Sequence, residues 1–346
     1  MDISKTDKNF AVACTFEKED IEYRNIDEKP FQVYGIFKEK GKYRRIPEEL
    51  AKRVSDGVYM LHTNTAGGRV KFKTDSMYVA IKAEMDGIGK MPHFAITGSA
   101  GFDLYADNRY KKTFIPNFEI ENGFESIIEF ETAKMREITI NFPLYSNVNE
   151  LYVGLQRKAV LGEGAPYKSL KPIVYYGSSI TQGGCASRPG MSYQSIILRQ
   201  TGCDFVNLGF SGNAKAEEEI ADYIKKLDMS LFVYDYDHNA PTLKHLEDTH
   251  EKMFKSIREK NPELPVIMMT RPKHTLTDEE KERRHIIENT YNNAVGAGDK
   301  NVYFISGEEL SAYCKDDGTV DGCHPNDLGF ASIAKVLGET IERILF

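Results

Sequence analysis

Short apolar segments alternate with longer amphipathic segments from about residue 170 to the C-terminus. The apolar segments have the length of buried strands, and the segments between them carry apolar residues at the three- and four-residue spacing of helices. Strand and helix alternating five times predict a parallel sheet covered by helices on both faces, which is an α/β fold. The predicted strands are Pro172–Tyr176, Asp204–Leu208, Leu231–Tyr234, Pro265–Met269 and Asn301–Ile305, and the predicted helices are Tyr193–Arg199, Ala216–Leu227, Leu243–Lys260, Thr277–Ala297 and a last one from Phe330 to Ile344.

The first 160 or so residues follow a different pattern. Apolar and polar side chains alternate over short segments, and clusters of Gly, Asn and Asp separate those segments. Many short strands at regular spacing are typical of an antiparallel sandwich or a jelly roll. We therefore predict an all-β domain over residues 1–162 and an α/β domain over residues 168–346, joined near Gly162–Pro166. The predicted strands are Val70–Thr74, Tyr78–Lys82, His93–Thr97, Ser126–Phe130, Ile138–Phe142 and Leu151–Leu155, with one short helix at Glu48–Arg53.

Composition argues against several classes of partner. The formal net charge is −7, so the chain offers no basic surface for nucleic acid or anionic lipid. No apolar run approaches the roughly 18 residues of a membrane span. The N-terminus lacks the basic start and apolar stretch of a secretory signal, so we expect a cytoplasmic protein. The five cysteines form no Cys-x-x-Cys pair, and the eight histidines are scattered, which argues against a disulfide framework and a metal site.

Residues suited to catalysis follow the predicted strands of the second half. Ligands of open parallel sheets bind outside the carboxyl ends of the strands, where Ser179, Gly212 and Asn239 stand. Asp321 precedes His324 by three positions, so its carboxylate can reach one ring nitrogen while the other acts as a base. Each of these signals alone also fits a structural role, as a helix cap, an Asx turn or a surface turn.

In this order, the segments resemble the blocks of the SGNH (GDSL-like) hydrolase superfamily, named after a Ser, a Gly, an Asn and a His. Gly177–Thr181 is similar to the first block, usually Gly-Asp-Ser-Ile-Thr, and Asn207–Gly212 is similar to the second. Asp321–His324 matches the Asp-x-x-His block in full, and His324–Gly329 extends it. The resemblance implies a flavodoxin-like three-layer fold and a serine ester hydrolase that needs no cofactor and no metal.

The resemblance also implies a role for each matching residue. Ser179 corresponds to the nucleophile, His324 to the general base and Asp321 to the carboxylate that orients the imidazole. The backbone N–H groups of Ser179 and Gly212, with the side-chain amide of Asn239, correspond to the oxyanion hole.

Two blocks depart from the family pattern. Ser178 stands where the first block has Asp, and in the third block Asp237 and Ala240 stand where Gly-x-Asn-Asp has its Gly and final Asp. Because the third block is altered, a carbohydrate-binding protein with a degenerate hydrolase domain stays open as an alternative.

The first half carries a second resemblance. Gly101–Tyr105, with the sequence Gly-Phe-Asp-Leu-Tyr, is similar to the GxDLY signature of a β-domain that precedes SGNH esterases in bacteria. Asp103 and Tyr105 also fit a purely structural role, as a turn followed by a core aromatic residue.

Two-domain proteins of this kind are generally assigned to hydrolysis of carbohydrate or acyl esters. We predict an esterase that removes short acyl groups, acetyl above all, from carbohydrate hydroxyls, with a small-molecule or oligosaccharide ester as its partner. A thioesterase or lysophospholipase, and a flavodoxin-like nucleotide binder with phosphate at Gly177–Thr181, remain alternatives. The oligomeric state stays open, a homo-oligomer included. The residues expected at the rim to bind a hydroxyl-rich leaving group are Gln182, Arg188, Tyr236, His238 and Arg271.

Overall fold

The computed structural model describes residues 3–7, 10, 12, 16–168 and 171–346. The described residues up to about 162 form the predicted β-rich domain, with the expected helix at Glu48–Val54 and two further short helices. Its strands are β1 (Ile21–Asn25), β2 (Gln32–Tyr34), β3 (Phe37–Glu39), β4 (Lys42–Arg44), β5 (Arg69–Thr74), β6 (Tyr78–Asp86), β7 (Phe102–Ala106), β8 (Arg109–Phe114), β9 (Gly123–Glu129), β10 (Arg136–Asn141), β11 (Asn147–Gln156) and β12 (Leu161–Gly162), and its helices are α1 (Glu48–Val54), α2 (Asp56–Leu61) and α3 (Ile96–Ser99).

Two antiparallel sheets form the sandwich of this domain. One has the order β1-β11-β6-β9, and the other has the order β12-β5-β10-β7-β8 with β2 also paired to β5. Alternate side chains of the strands point inward and fill one apolar core, as the period-two pattern of the sequence requires.

The second half forms a five-stranded parallel sheet with helices on both faces, which confirms the predicted α/β fold. The strand order β14-β13-β15-β16-β17 corresponds to the flavodoxin-like order 2-1-3-4-5. No helix in the described part of the chain is long and apolar enough to cross a membrane. The strands are β13 (Ile173–Gly177), β14 (Phe205–Gly209), β15 (Leu231–Asp235), β16 (Val266–Met269) and β17 (Val302–Ile305), and the helices are α4 (Ser179–Gln182), α5 (Tyr193–Thr201), α6 (Glu218–Ile224), α7 (Leu243–Lys260), α8 (Asp278–Gly296), α9 (Gly307–Leu310) and α10 (Asp327–Leu345).

Side chains of the all-β domain join both cores of the α/β domain. Leu50 and Val58, on α1 and α2, pack with the α/β domain against one face of the parallel sheet. Phe94 and Tyr145, from loops of the all-β domain, join the core on the other face. Burying apolar side chains across this boundary stabilises the association by about 25 cal/mol per Å² removed from water.

Buried arginines of the all-β domain add polar contacts across the boundary. Arg45, just after β4, is fully buried and donates to the backbone carbonyls of Leu61, Asn64 and Gly209. The Gly209 carbonyl lies at the carboxyl end of β14, so one guanidinium joins the all-β domain to an edge of the parallel sheet.

One predicted element is wrong. The segment His93–Thr97 was expected to be a strand, but it forms a turn that leads into the single-turn helix α3. Its backbone bonds locally instead of pairing with a neighbouring strand: the Phe94 N–H donates to the Met91 carbonyl, and the Ala95 carbonyl accepts from the N–H groups of Gly98 and Ser99. Alternation over five residues is too short to distinguish a strand from such a turn.

Candidate active site

The carboxyl ends of three adjacent strands, β14, β13 and β15, lie side by side, and the candidate residues Ser179, Gly212 and Asn239 follow them. Gly177 at the end of β13 pairs with Gly209 on one side and with Asp235 on the other. A Cβ on Gly177 would lie 2.3 Å from the Asp235 carbonyl oxygen, so only glycine fits this strand-to-helix turn. Ser178 then caps α4, as its Oγ accepts from the Ile180 N–H at 3.2 Å, and Ser179 is the first residue of that helix.

A chain of hydrogen bonds connects Ser179, His324 and Asp321. The Ser179 Oγ lies 3.0 Å from Nε2 of His324, and the Asp321 Oδ2 lies 2.7 Å from Nδ1 of the same ring. The other Asp321 oxygen accepts from the backbone N–H groups of Cys323, at 3.0 Å, and His324, at 2.7 Å. The loop before α10 thus holds the carboxylate and the imidazole in a fixed relation.

The electrostatics of Asp321 determine the tautomer of His324. Partial burial acts to raise the pKa of Asp321, but hydrogen bonds from the His324 ring and from two backbone amides outweigh it and lower the pKa to about 2. An ionised carboxylate only accepts hydrogen bonds, so Nδ1 of His324 carries the ring hydrogen. The lone pair of Nε2 therefore faces the Ser179 hydroxyl.

The sequence assigns three N–H donors to the oxyanion hole: the backbone groups of Ser179 and Gly212 and the side-chain amide of Asn239. Ser179 itself begins a helix, and the first N–H groups of a helix have no carbonyl partner within it. Gly212 has φ +70°, and a Cβ built there would meet nothing within 4 Å, so its backbone is open to a ligand. The Asn239 amide donates to the Phe210 carbonyl at 3.0 Å, and its second hydrogen remains for another acceptor.

The altered third block has a structural explanation. Asp237 is buried and accepts from Arg271 at both oxygens, at 2.6 Å and 3.0 Å. Burial acts to raise the pKa of Asp237, but this ion pair outweighs it and holds the pKa below the usual value. Arg283 donates to the carbonyls of Asp237 and Ala240, both at 3.0 Å. The two arginines therefore fix the turn that carries Asn239.

Two of the residues expected at the rim are buried instead, which corrects their assignment to substrate binding. Gln182 is 0% exposed, and its amide bonds to Asn64 and to the carbonyl of Leu144 while its oxygen accepts from Ser211 N–H. Tyr236 is 1% exposed and packs in the core of the α/β domain. With their polar atoms used inside the protein, neither side chain reaches the surface.

The other three expected rim residues also have partners within the protein. Arg188 donates to Asp103 and to the Tyr105 hydroxyl, and Arg271 is held by its carboxylate partners. These two cations serve structural ion pairs and not a free binding surface. His238 is partly exposed, with Nδ1 3.9 Å from Cys323 Sγ, and burial together with the charge of Arg271 lowers its pKa to about 4.

The all-β domain contributes side chains to the site that sequence reasoning missed. The Tyr145 hydroxyl donates to the Ser179 carbonyl at 3.2 Å. The ring of His93 lies 5.8 Å from that of His324, and its Nε2 is 3.8 Å from the Asp321 Oδ2. No motif marks either residue as part of the site, because only folding brings their loops to the hydrolase domain. Among the described residues, His93, Cys185 and His324 form a group whose ligand atoms lie within 4.8 Å of one another.

Comparison with known proteins identifies the family of both halves of the chain. Residues 170–342 match the GDSL-like lipase/acylhydrolase family, and residues 21–161 match the GxDLY family, the N-terminus of SGNH-hydrolase-type esterases. Among curated proteins, none matches the chain significantly.

Solved structures share both domains. A protein described as a GDSL-like lipase from Bacteroides ovatus is 30% identical, with a TM-score of 0.84 over 94% of this chain and 98% of that one. A salicylyl-acyltransferase from a tetracycline biosynthetic pathway is 18% identical, with a TM-score of 0.77 over 95% and 100%. An acetyl xylan esterase from the rumen bacterium Butyrivibrio proteoclasticus is 11% identical, with a TM-score of 0.60 over 93% and 98%. On its sequence matches and its fold, this chain belongs to the GDSL-like lipase/acylhydrolase family of ester hydrolases, in the form that carries a GxDLY domain in front.

Proposed function

We propose that the chain is a serine esterase that removes acetyl groups from carbohydrate hydroxyls. The observation that carries the proposal is the unbroken hydrogen-bond chain from Ser179 through His324 to Asp321, at 3.0 Å and 2.7 Å. This is the arrangement in which a serine hydroxyl loses its proton to an imidazole as it attacks a carbonyl.

Both steps of the reaction, acylation and deacylation, use these hydrogen-bonded residues. The Ser179 Oγ attacks the ester carbonyl carbon while its proton moves to Nε2 of His324, and the imidazolium then protonates the departing alcohol. Water attacks the resulting acyl-serine, loses a proton to the same nitrogen and releases the acid. Asp321 stabilises the imidazolium, and the N–H groups at Ser179, Gly212 and Asn239 hold the negative charge on the carbonyl oxygen.

The choice of an acetylated carbohydrate rests on two supports. Several proteins of this fold are described as carbohydrate or acetyl xylan esterases, among them the rumen enzyme above. Asp321 is exposed and His324 partly exposed, which leaves room for a bulky, hydrated leaving group outside the site. Five cavities of about 450 to 690 Å³ lie elsewhere, and none is lined by Ser179, Asp321 or His324.

The test compares hydrolysis of p-nitrophenyl acetate, butyrate and octanoate, followed by acetate release from acetylated xylooligosaccharides. We expect acetate to be the best aryl ester and the Ser179→Ala variant to lose turnover while staying folded. Ser256→Ala, a partly exposed serine on α7, is the matched control and should keep full activity.

Other outcomes separate the alternatives. Preference for octanoate would favour a thioesterase or lysophospholipase, and no turnover with binding of the oligosaccharide would favour the degenerate hydrolase domain. Transfer of acetyl to an added alcohol, in preference to water, would make the chain an acyltransferase. An active Ser179→Ala variant would exclude the proposed mechanism.

A further inference from the structure

Three side chains with metal-binding atoms converge beside the serine. His93 comes from the all-β domain, Cys185 from the turn after α4 and His324 from the loop before α10. Their ligand atoms all lie within 4.8 Å of one another. Because Nδ1 of His324 is bonded to Asp321, its Nε2 is the atom available to a metal.

The chemistry of this group selects the cation. Two imidazoles and a thiolate are the ligands of zinc, whereas calcium and magnesium take oxygen ligands. With Zn–N and Zn–S bonds of about 2.0–2.3 Å, tetrahedral ligands lie about 3.4–3.7 Å apart, so the group must contract by roughly 1 Å. The side chain of His93 is 44% exposed and can rotate to close that gap.

Further groups around the cluster suit a metal. The Asp321 carboxylate accepts from Nδ1 of His324, which is the outer hydrogen bond that metal-bound histidines usually make. Cys185 is buried and has φ +73°, a backbone conformation that is costly for a residue with a side chain. Three protein ligands leave a fourth tetrahedral position for water.

We propose that a zinc ion binds His93, Cys185 and His324 and reversibly inhibits the esterase. Bonds form from zinc to a ring nitrogen of His93, to Sγ of Cys185 and to Nε2 of His324. The Cys185 S–H bond breaks, and its proton leaves to solvent. Nε2 of His324 then has no lone pair for the Ser179 hydroxyl, so the general base is lost. Inhibition rests on the proposed function, whereas metal binding does not.

Metal binding is measured first, without any substrate. Zinc is titrated into the apo-protein by equilibrium dialysis, and cobalt(II) serves as a spectroscopic probe whose thiolate charge-transfer band reports a Cys ligand. We expect one ion per chain and loss of the band in Cys185→Ser. His93→Gln should weaken zinc binding at least about tenfold, because even partners outside the ligand set cost 10–100-fold in metal affinity. Cys314→Ser, a buried thiol elsewhere, and His285→Gln, an exposed histidine on α8, are the matched controls and should bind as the wild type does.

Inhibition is measured second, on p-nitrophenyl acetate. We expect zinc to inhibit the wild type and a chelator to restore its activity. Cys185→Ser and His93→Gln, each compared with its own turnover without metal, should need at least about tenfold more zinc for the same fractional inhibition. The site is refuted if the wild type binds no stoichiometric zinc, or if both variants bind it as the wild type does. If the Cys185→Ser variant fails to fold, zinc binding by His93→Gln decides the test, because His93 is exposed. Full activity with zinc bound would refute the inhibitory role and leave the metal site standing. A wild type that binds zinc but is inactive without metal would refute the proposed esterase function and leave the metal site standing.

Discussion

Asp103, the acidic residue of the GxDLY segment, lies in the interface between the domains. It is 0% exposed on β7 and accepts three hydrogen bonds: from Arg188 at 2.8 Å, from the backbone N–H of Gly190 at 2.8 Å and from Asn141 at 2.7 Å. Arg188 and Gly190 belong to the loop between α4 and α5, which also carries Cys185. Asp103 therefore anchors a loop next to the nucleophile to the all-β domain.

Replacing Asp103 with Ala should destabilise the protein strongly. Removing one partner of a buried ion pair costs about 3–5 kcal/mol, because the other charge stays buried. Arg188 keeps its bond to the Tyr105 hydroxyl at 2.6 Å and its 3.8 Å stacking on Tyr110, which favours the lower end of that range. The unpaired Gly190 N–H adds about 1–3 kcal/mol. We expect a total loss of about 4 kcal/mol. Because the loop borders the active site, we expect turnover to fall about 10–100-fold.

Urea unfolding followed by circular dichroism measures the stability loss, and p-nitrophenyl acetate hydrolysis measures turnover. The matched control is Asp107→Asn, on the exposed turn after the same strand, where the residue has φ +52° and bonds the backbone N–H of Glu137. It should stay within about 0.5 kcal/mol of the wild type. In a cycle of Asp103→Asn and Arg188→Met, the pair should couple by about 1–3 kcal/mol. A loss below 1 kcal/mol in Asp103→Ala, with unchanged turnover, would refute this reasoning.

Three further outcomes are expected from the site and its surroundings. Asn239→Ala should lower kcat about 10²–10³-fold with little change in KM, because the amide acts on the oxyanion of the transition state; an unchanged kcat would remove Asn239 from that role. Burial lowers the pKa of His250 to about 3, so its imidazole stays neutral in the folded protein, whereas the same imidazole in the unfolded chain binds a proton near pH 6.5. The stability that this residue contributes is thus present above pH 6.5, and the free energy of unfolding falls by about 1.4 kcal/mol per pH unit below it. The urea midpoint of His250→Gln should therefore fall less than that of the wild type between pH 7.5 and 5.0. Burial, together with the nearby charge of Asp237, raises the pKa of Asp235 well above its usual value, so the folded carboxyl keeps a proton that the unfolded chain loses near pH 4. Stability should therefore fall as the pH rises above 4, and Asp235→Asn should raise the urea midpoint at pH 8 more than at pH 4.5; equal shifts would contradict the raised pKa.

The sequence predicts the parallel sheet well because each strand is a continuous apolar run and each helix repeats its apolar face. The candidate catalytic residues are equally visible, since Ser179, Gly212 and Asn239 follow strand ends that the topology brings to one edge. Side-chain direction is not visible in the same way. Gln182 and Tyr236 stand beside the site in sequence but point inward, where core packing and buried partners hold them.

Contacts between the domains are the feature that is hardest to predict from the sequence. His93 and Tyr145 lie on loops outside every catalytic motif, and each reaches the active site only because the sandwich docks on the parallel sheet. Predicting them requires the relative placement of two folded bodies, which depends on shape and on buried polar contacts such as that of Arg188 with Asp103.

The buried guanidinium of Arg45 implies that the hydrolase half depends on the all-β half for its stability. It satisfies a carbonyl of the hydrolase sheet three residues before Gly212, so the turn expected to hold the oxyanion is completed by a residue far upstream in the chain. A shorter hydrolase fragment would expose that carbonyl and the apolar faces under α1 and α2 together. We therefore expect the hydrolase half expressed alone to be less stable than the full chain.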